Sequence, residues 1–302
     1  FDLSCAVSGE HTAVVSGGPT TFLLNPDVDF ANGETCTLSV YAANVADQDT
    51  DDPYNTMLAD YIASFTAYMD VCQLAYTPIY QIQGSGPSAA ILGTVTTQGV
   101  VVGDFEGSAA ASGFYMQDLT GDGDPATSDG IFVYTGSNNF VSAGQVVRVT
   151  GYARERFNQT TLNGSNSNTA VVPLANISPC GTGSVAPVEV TMPFASLTAP
   201  EQYEGMLVKF PQSLVIAEYF NYDRYGEIVL ALPLEGETRP FTGTAIDEPG
   251  DEANARTLAN TLRRITLDDV ISYQNPSVLR HPNGLPFSLD NKFRGGDLVQ
   301  NA

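Results

Sequence analysis

Three stretches decide the fold: Gly113-Phe114-Tyr115-Met116-Gln117-Asp118, Gly130-Ile131-Phe132-Val133-Tyr134, and Gln145-Val146-Val147-Arg148-Val149-Thr150-Gly151-Tyr152-Ala153. Each is rich in β-branched and aromatic residues, and glycines mark the bends between them. Thr94–Val102 is of the same kind, with Val100, Val101 and Val102 running together, and Ile79–Gly84 leads in. Gly103–Gly107 reads as a hairpin turn. Five strands with glycine at the bends predict a small closed barrel over residues 74–184.

Working toward the N-terminus, Thr12–Val15, Thr20–Leu24, Cys36–Ala42 and Ile62–Thr66 read as short strands. Ser16-Gly17-Gly18-Pro19 and Asn32-Gly33 separate them as turns. The pattern over residues 1–73 is that of an Ig-like sandwich that lacks its first strands, since about seven strands are usual. Either those strands lie on a segment outside this chain, or another chain supplies them. Toward the C-terminus, residues 185–302 read as a further β-rich module with one short helix after Pro249. Asp251 and Glu252 sit in its first turn and Arg263-Arg264 in its last, matching the helix macrodipole. The fold class is therefore all-β. A length of 302 residues allows two domains or three small β modules. No apolar run reaches the length of a membrane-spanning helix.

Charge and cysteine content narrow the function classes. The net charge is −22, with 12 Lys+Arg against 34 Asp+Glu. Residues 1–147 hold 17 of the acidic residues and no Lys or Arg. That half cannot bind nucleic acid by counterion release, which needs clustered cations. It suits high salt, divalent cations or simple solubility. The four cysteines, Cys5, Cys36, Cys72 and Cys180, form no CxxC unit, which argues against zinc and c-type haem. An even count at wide spacing fits two disulfides in an oxidising, extracellular compartment. Four cysteines permit three pairings. Cys5–Cys36 within the first module and Cys72–Cys180 bracketing the second are favoured. The first residue is Phe1 with no signal peptide, so the chain reads as a processed or partial product.

Two family resemblances add to this reading. Phe1 to Cys5, Pro19-Thr20-Thr21-Phe22, Asn32-Gly33-Glu34-Thr35-Cys36-Thr37, Asp47-Gln48-Asp49-Thr50 and Met57-Leu58-Ala59-Asp60-Tyr61 resemble bacterial Ig-like domains of the SbsA type. That resemblance implies a structural spacer. Ile82-Gln83-Gly84-Ser85-Gly86, Thr97-Gln98-Gly99-Val100-Val101, the loop Thr120 to Val133, Gly144 to Gly151, Glu218 to Ile228 and Asp290 to Asp297 form a second pattern. It resembles the OB-fold-like region of bacterial extracellular nucleases of the ExeM/NucH type, over about three quarters of the chain. The resemblance supports the Cys72–Cys180 pairing. It implies an accessory region whose catalytic endonuclease/exonuclease/phosphatase domain is not on this chain. His11 and His281 are the only histidines, and neither stands in a catalytic setting.

Several constellations are candidate sites. Asp118, Asp122, Asp124 and Asp129 lie on one Gly-bearing loop, the kind of oxygen-rich segment that hard cations take. Structural Ca2+ is the candidate cofactor there, and again at Asp47, Asp49 and Asp51. The bland alternative is a solvated acidic turn. Tyr219, Tyr222 and Tyr225 are candidates for base stacking, with Arg224 and Arg294 for phosphate contacts. The alternative is a hairpin whose alternate aromatics pack the core. Arg294 beside Asp297 also reads as an ion pair. Three sequons, at Asn158, Asn163 and Asn176, share one polar stretch; chance occurrence is the favoured reading, and an exposed loop carrying surface glycans is the alternative. No P-loop, nucleophile elbow or dinucleotide fingerprint occurs.

Two functions follow as expectations. The first is a non-catalytic accessory region of a secreted nuclease-like protein, positioning DNA or linking modules. The second is a structural subunit of an extracellular filament, surface layer or matrix, in which a neighbouring chain completes the sandwich with a donated strand.

Overall fold

The computed structural model describes residues 1–47, 51, 55–68, 70–107 and 109–302. It is mostly β and divides into two compact units, Phe1–Leu74 and Ala75–Ala302.

The first unit has strands β1 (Asp2–Cys5), β2 (Gly9–His11), β3 (Ala13–Gly17), β4 (Phe22–Pro26), β5 (Thr35–Val40) and β6 (Tyr61–Thr66). A four-stranded antiparallel sheet runs in the order β2-β1-β5-β6, and β3 pairs with β4 as a separate hairpin. Residue 1 leads directly into β1. Cys5 and Cys36 are direct cross-strand partners and form a disulfide. Cys72 and Cys180 are also disulfide-bonded, and no cysteine is free. The core is thin: Leu3, Cys5 and Cys36 are buried, with Phe30, Leu38 and Ala67 packed against them. Glu34 is buried beside this core. Its carboxylate accepts hydrogen bonds from Val7 N, Ser8 N, Ser8 Oγ and Ala31 N. Burial pushes its pKa upward, but those donors win and hold it at about 2.

The second unit is built on the predicted barrel. Its strands are β7 (Gly93–Phe105), β8 (Gly113–Gln117), β9 (Gly130–Tyr134), β10 (Gln145–Glu155) and β11 (Thr160–Asn163). β7 pairs with β8, β8 with β9, β9 with β11, β11 with β10 and β10 with β7, so the ring closes. The β9–β11 pair is parallel and the rest are antiparallel. β12 (Ile177–Thr182) lies outside the ring on β10. Phe114, Met116, Ile131, Val149 and Leu162 are completely buried in the barrel core.

Four expectations change here. Ile79–Gly84 is not a strand: Ile79–Gln83 is a helix, α1, whose Ile79 and Ile82 plug the barrel core. The fifth barrel strand is β11, inside the polar stretch taken for an exposed loop. Asn163 in it is fully buried and donates through Nδ2 to Ala170 O, so the middle sequon is inside the protein. The turn expected at Gly103–Gly107 begins later, because β7 continues to Phe105. A register shift between Val101 and Gly103 bends it there. Finally, Tyr222–Tyr225 is a short helix, α2, in the connection of the antiparallel β15–β16 pair, not an alternating strand.

Beyond the barrel, β13 (Val188–Glu189) and β14 (Val208–Lys209) form a short parallel pair. β15 (Leu214–Glu218), β16 (Ile228–Ala231), β17 (Arg264–Leu267) and β18 (Leu298–Val299) form a sheet in the order β17-β16-β15-β18. Between β16 and β17 lie helices α3 (Gly243–Ile246) and α4 (Asp251–Thr261). The helix after Pro249 is present with Asp251 and Glu252 in its first turn. Its last turn holds no base: Arg263 lies past its end and Arg264 starts β17. Val190, Phe210, Leu214, Ile216, Tyr222 and Leu230 belong to this region's own core.

Candidate functional site

The acidic loop folds back on the barrel. Asp118 is 6% exposed, and its Oδ2 accepts from Ile79 N at 2.9 Å and Tyr80 N at 3.4 Å. It therefore anchors the first turn of α1, a use no local pattern reveals. Asp122 accepts from Asp124 N and Thr127 Oγ1, and Asp124 accepts from Ala126 N, so both shape their own turn. Asp129 Oδ1 is buried without a hydrogen-bond partner among the described residues. Burial and the neighbouring Asp122 push the Asp129 carboxyl upward. Three ligand atoms of His, Cys, Asp or Glu come within 4.8 Å of one another among the described residues at Cys5, Glu34 and Cys36, where the sulfurs are bonded to each other. The four loop carboxylates are not such a group. Of the second loop, Asp47 and Asp51 are exposed, and Asp49 lies outside the described residues.

Burial raises Asp118 to about 7 against the pull of the Tyr80 and Ile79 N–H groups, with Asp129 and Asp122 adding to the rise. Burial likewise raises Glu204 to about 7, although Thr160 N donates to it, with Glu155 adding to the rise. A folded pKa above the unfolded one means that the folded state holds its proton more tightly. The stability contributed is full below the ordinary carboxylate range and is lost as pH rises through 7. For Asp118 alone the loss is on the order of 3 kcal/mol between about pH 4 and about pH 8. The urea midpoint of the second unit should fall over that range. Asp118→Asn keeps an acceptor for α1 and removes the titration, so it should flatten the profile, and adding Glu204→Gln should flatten it further. An unchanged slope in the double variant would refute this assignment.

The aromatic segment is split by its fold. Tyr222 is buried, donates its hydroxyl to Arg280 O, and meets Phe287 and Phe293 edge-on. Tyr219 is 50% and Phe220 94% exposed. Arg224 donates through Nε and Nη2 to Gln274 Oε1, and its guanidinium lies over the Tyr225 ring. Arg294 is exposed beside Asp297, 3.7 Å away. Thus Tyr219 faces solvent, while the ring of Tyr222 belongs to the core.

The N-terminal sheet is the least covered surface. Its register places Leu3 opposite Leu38, Cys5 opposite Cys36, Cys36 opposite Phe65, Leu38 opposite Ala63 and Val40 opposite Tyr61. All these side chains share one face. At β1 the face is buried, with Leu3 at 4% exposure, but at β6 Phe65 is 40% and Tyr61 58% exposed. The β3–β4 hairpin is also open: Val15, Phe22 and Leu23 are exposed. Among the described residues β6 pairs only with β5, so its outer edge is bare. β6 reads Tyr61-Ile62-Ala63-Ser64-Phe65-Thr66, with no charge, proline or glycine to blunt that edge. A groove of about 450 Å³, lined in part by Phe1, Leu3, His11 and Ala13, opens at the other end of the sheet.

No helix among the described residues is long and apolar enough to cross a membrane. No family model, no curated protein and no solved structure matches this chain.

Proposed function

We propose that this chain is a structural subunit that assembles through its N-terminal unit, a neighbouring copy adding a strand to the edge of β6 and covering its apolar inner face. The observation that carries this reading is the gradient from buried Leu3 to exposed Tyr61 across one sheet face, ending at an edge with no protective residue. Strand addition supplies main-chain hydrogen bonds along the edge and pockets for alternate side chains. The disulfides fit a secreted setting. The occupant is a second copy because β6 is uncharged, so two β6 edges can meet antiparallel without a charge mismatch. The surrounding units are acidic and repel, so salt should favour the assembly.

Sedimentation velocity tests this. Association should rise with protein concentration and with salt. Ile62→Asp at the edge and Tyr61→Asp on the inner face should each abolish it while leaving the far-UV spectrum unchanged. A wild-type chain that stays monomeric at its highest soluble concentration would sink the proposal, as would association that both variants retain.

The exposed pair Tyr219 and Phe220 supports a second reading, the positioning of DNA by an accessory region of a secreted nuclease. Against it, Arg264 and Arg294 lie beside Glu218 and Asp297. Phosphate contacts require an affinity for DNA that falls steeply with salt, so a flat dependence would exclude them.

A further inference from the structure

The sheet β17-β16-β15-β18 has two different faces. Ile216, Ile228 and Leu230 bury one face in the core. The other carries the small side chains Ala217, Val229 and Ala231, and a cleft of about 480 Å³ stands over them. The segment around Phe241 and the C-terminal half of α4 form its walls. The small floor residues leave room for a ligand of modest size, within the usual range for such sites.

The wall of α4 leans toward acceptors. Thr257 Oγ1 donates to Ala253 O, and Thr261 Oγ1 donates to Thr257 O. Asn260 Nδ2 donates to Phe241 O at 2.7 Å. With their hydroxyl protons turned to α4 carbonyls, Thr257 and Thr261 offer acceptor oxygens to the cleft, and Asn260 offers its Oδ1 beside one remaining N–H. The Glu218 carboxylate, paired with Arg264 at 2.9 Å, is a further acceptor. A ligand suited to these walls is rich in hydroxyl donors. Sulfate, being an acceptor only, does not match them.

One group asks for the opposite. The Arg239 guanidinium is held over the Phe241 ring, 4.8 Å from its centroid, and no carboxylate among the described residues pairs with it. It lies on the rim of the cleft in a chain whose net charge is −22. A planar guanidinium fixed by stacking is suited to bidentate binding of a carboxylate.

We infer that this cleft binds a sugar bearing a carboxylate, its hydroxyls donating to Thr257, Asn260, Thr261 and Glu218 and its carboxylate meeting Arg239. The site is separate from the N-terminal edge, so it stands whether or not the chain assembles.

Ligand-observed NMR on the whole chain tests this with three probes: galacturonate, galactose and acetate. Galacturonate should bind, and galactose and acetate should each bind about tenfold more weakly or not at all, since each keeps half of the recognition. Arg239→Gln should weaken galacturonate about tenfold. Arg239 is exposed, so the variant should fold normally, which its melting curve would verify. Leu92→Ala, an exposed residue before β7 and outside the lining, should leave binding intact. Absence of galacturonate binding, equal binding of galactose, or an Arg239→Gln variant that binds like the wild type would overturn the assignment.

Discussion

Gly130→Ala should destabilise the second unit by about 3–4 kcal/mol, from overpacking together with the loss of neighbouring buried hydrogen bonds. Gly130 opens β9 where the chain of residues 204–207 crosses the barrel. A Cβ there would stand 2.5 Å from Met206 N and closer still to the Gly205 carbonyl. Both are backbone, so no rotamer change relieves the clash. Gly205 cannot retreat freely, because its neighbours are tied down. Ser128 Oγ donates to Glu204 O at 2.6 Å, Thr160 N donates to Glu204 Oε1, and Leu207 N donates to Gln117 Oε1. On the barrel side, Gln83 Nε2 donates to Gly130 O at 2.6 Å. One methyl group must therefore break this seam or bend β9. Gly123→Ala is the control: Gly123 has φ +74° with nothing within 4 Å of an added Cβ. It should cost only about 1 kcal/mol of backbone strain. Urea unfolding at one pH compares the two. Equal costs would mean that the seam is not tight.

The double substitution Cys5→Ser/Cys36→Ser should unfold residues 1–74 and leave the barrel folded. The disulfide joins residues 31 apart. Loop closure over that span is worth roughly 3–4 kcal/mol in the chain-entropy account. Among the described residues of the unit, these two cysteines are two of the three buried apolar ones. Removing them takes away both the cross-link and most of the core, and a unit this small has only a few kcal/mol to lose. Hydrogen exchange read by mass spectrometry should show fast exchange throughout residues 1–74. Residues 93–163 should keep wild-type protection. Protected β1 and β5 in the double variant would show that hydrogen bonding around Glu34 sustains the sheet without the cross-link.

These two cases mark the limits of sequence reading. Strands β7 to β10 were legible because β-branched and aromatic runs between glycines have few other ways to fold. The helix after Pro249 was legible from acids at its start, but its end was not, since Arg263 and Arg264 suit a helix terminus and a strand equally. β11 was missed because Thr160, Thr161 and Asn163 look like loop residues. Their hydroxyl and amide donors find Glu155, Gln159 O and Ala170 O nearby, and Thr160 N reaches Glu204, but their burial comes from the pairing of β11 with β9 and β10, which nothing local signals. Asp118 was grouped with its loop neighbours as a cation ligand, yet its carboxylate serves the N–H groups of α1, 38 and 39 residues earlier.

The N-terminal unit reads as four strands of an incomplete sandwich, whereas the structure gives it six, in a four-stranded sheet and a separate hairpin. Which face is open, and at which edge, needed the register, because a strand's exposed side depends on its partner. The Arg239 cleft had no sequence signal at all. Its floor, walls and cation come from four separate stretches, and the Thr257 and Thr261 hydroxyls turn their oxygens to the cleft because α4 carbonyls take their protons. The sequence alone determined an all-β, acidic, disulfide-bearing chain with a glycine-bracketed barrel, since composition and alternation act through local backbone preference. Only the tertiary structure decided which carboxylates are buried, which edge is bare and which side chains meet, because those depend on contacts between residues far apart along the chain.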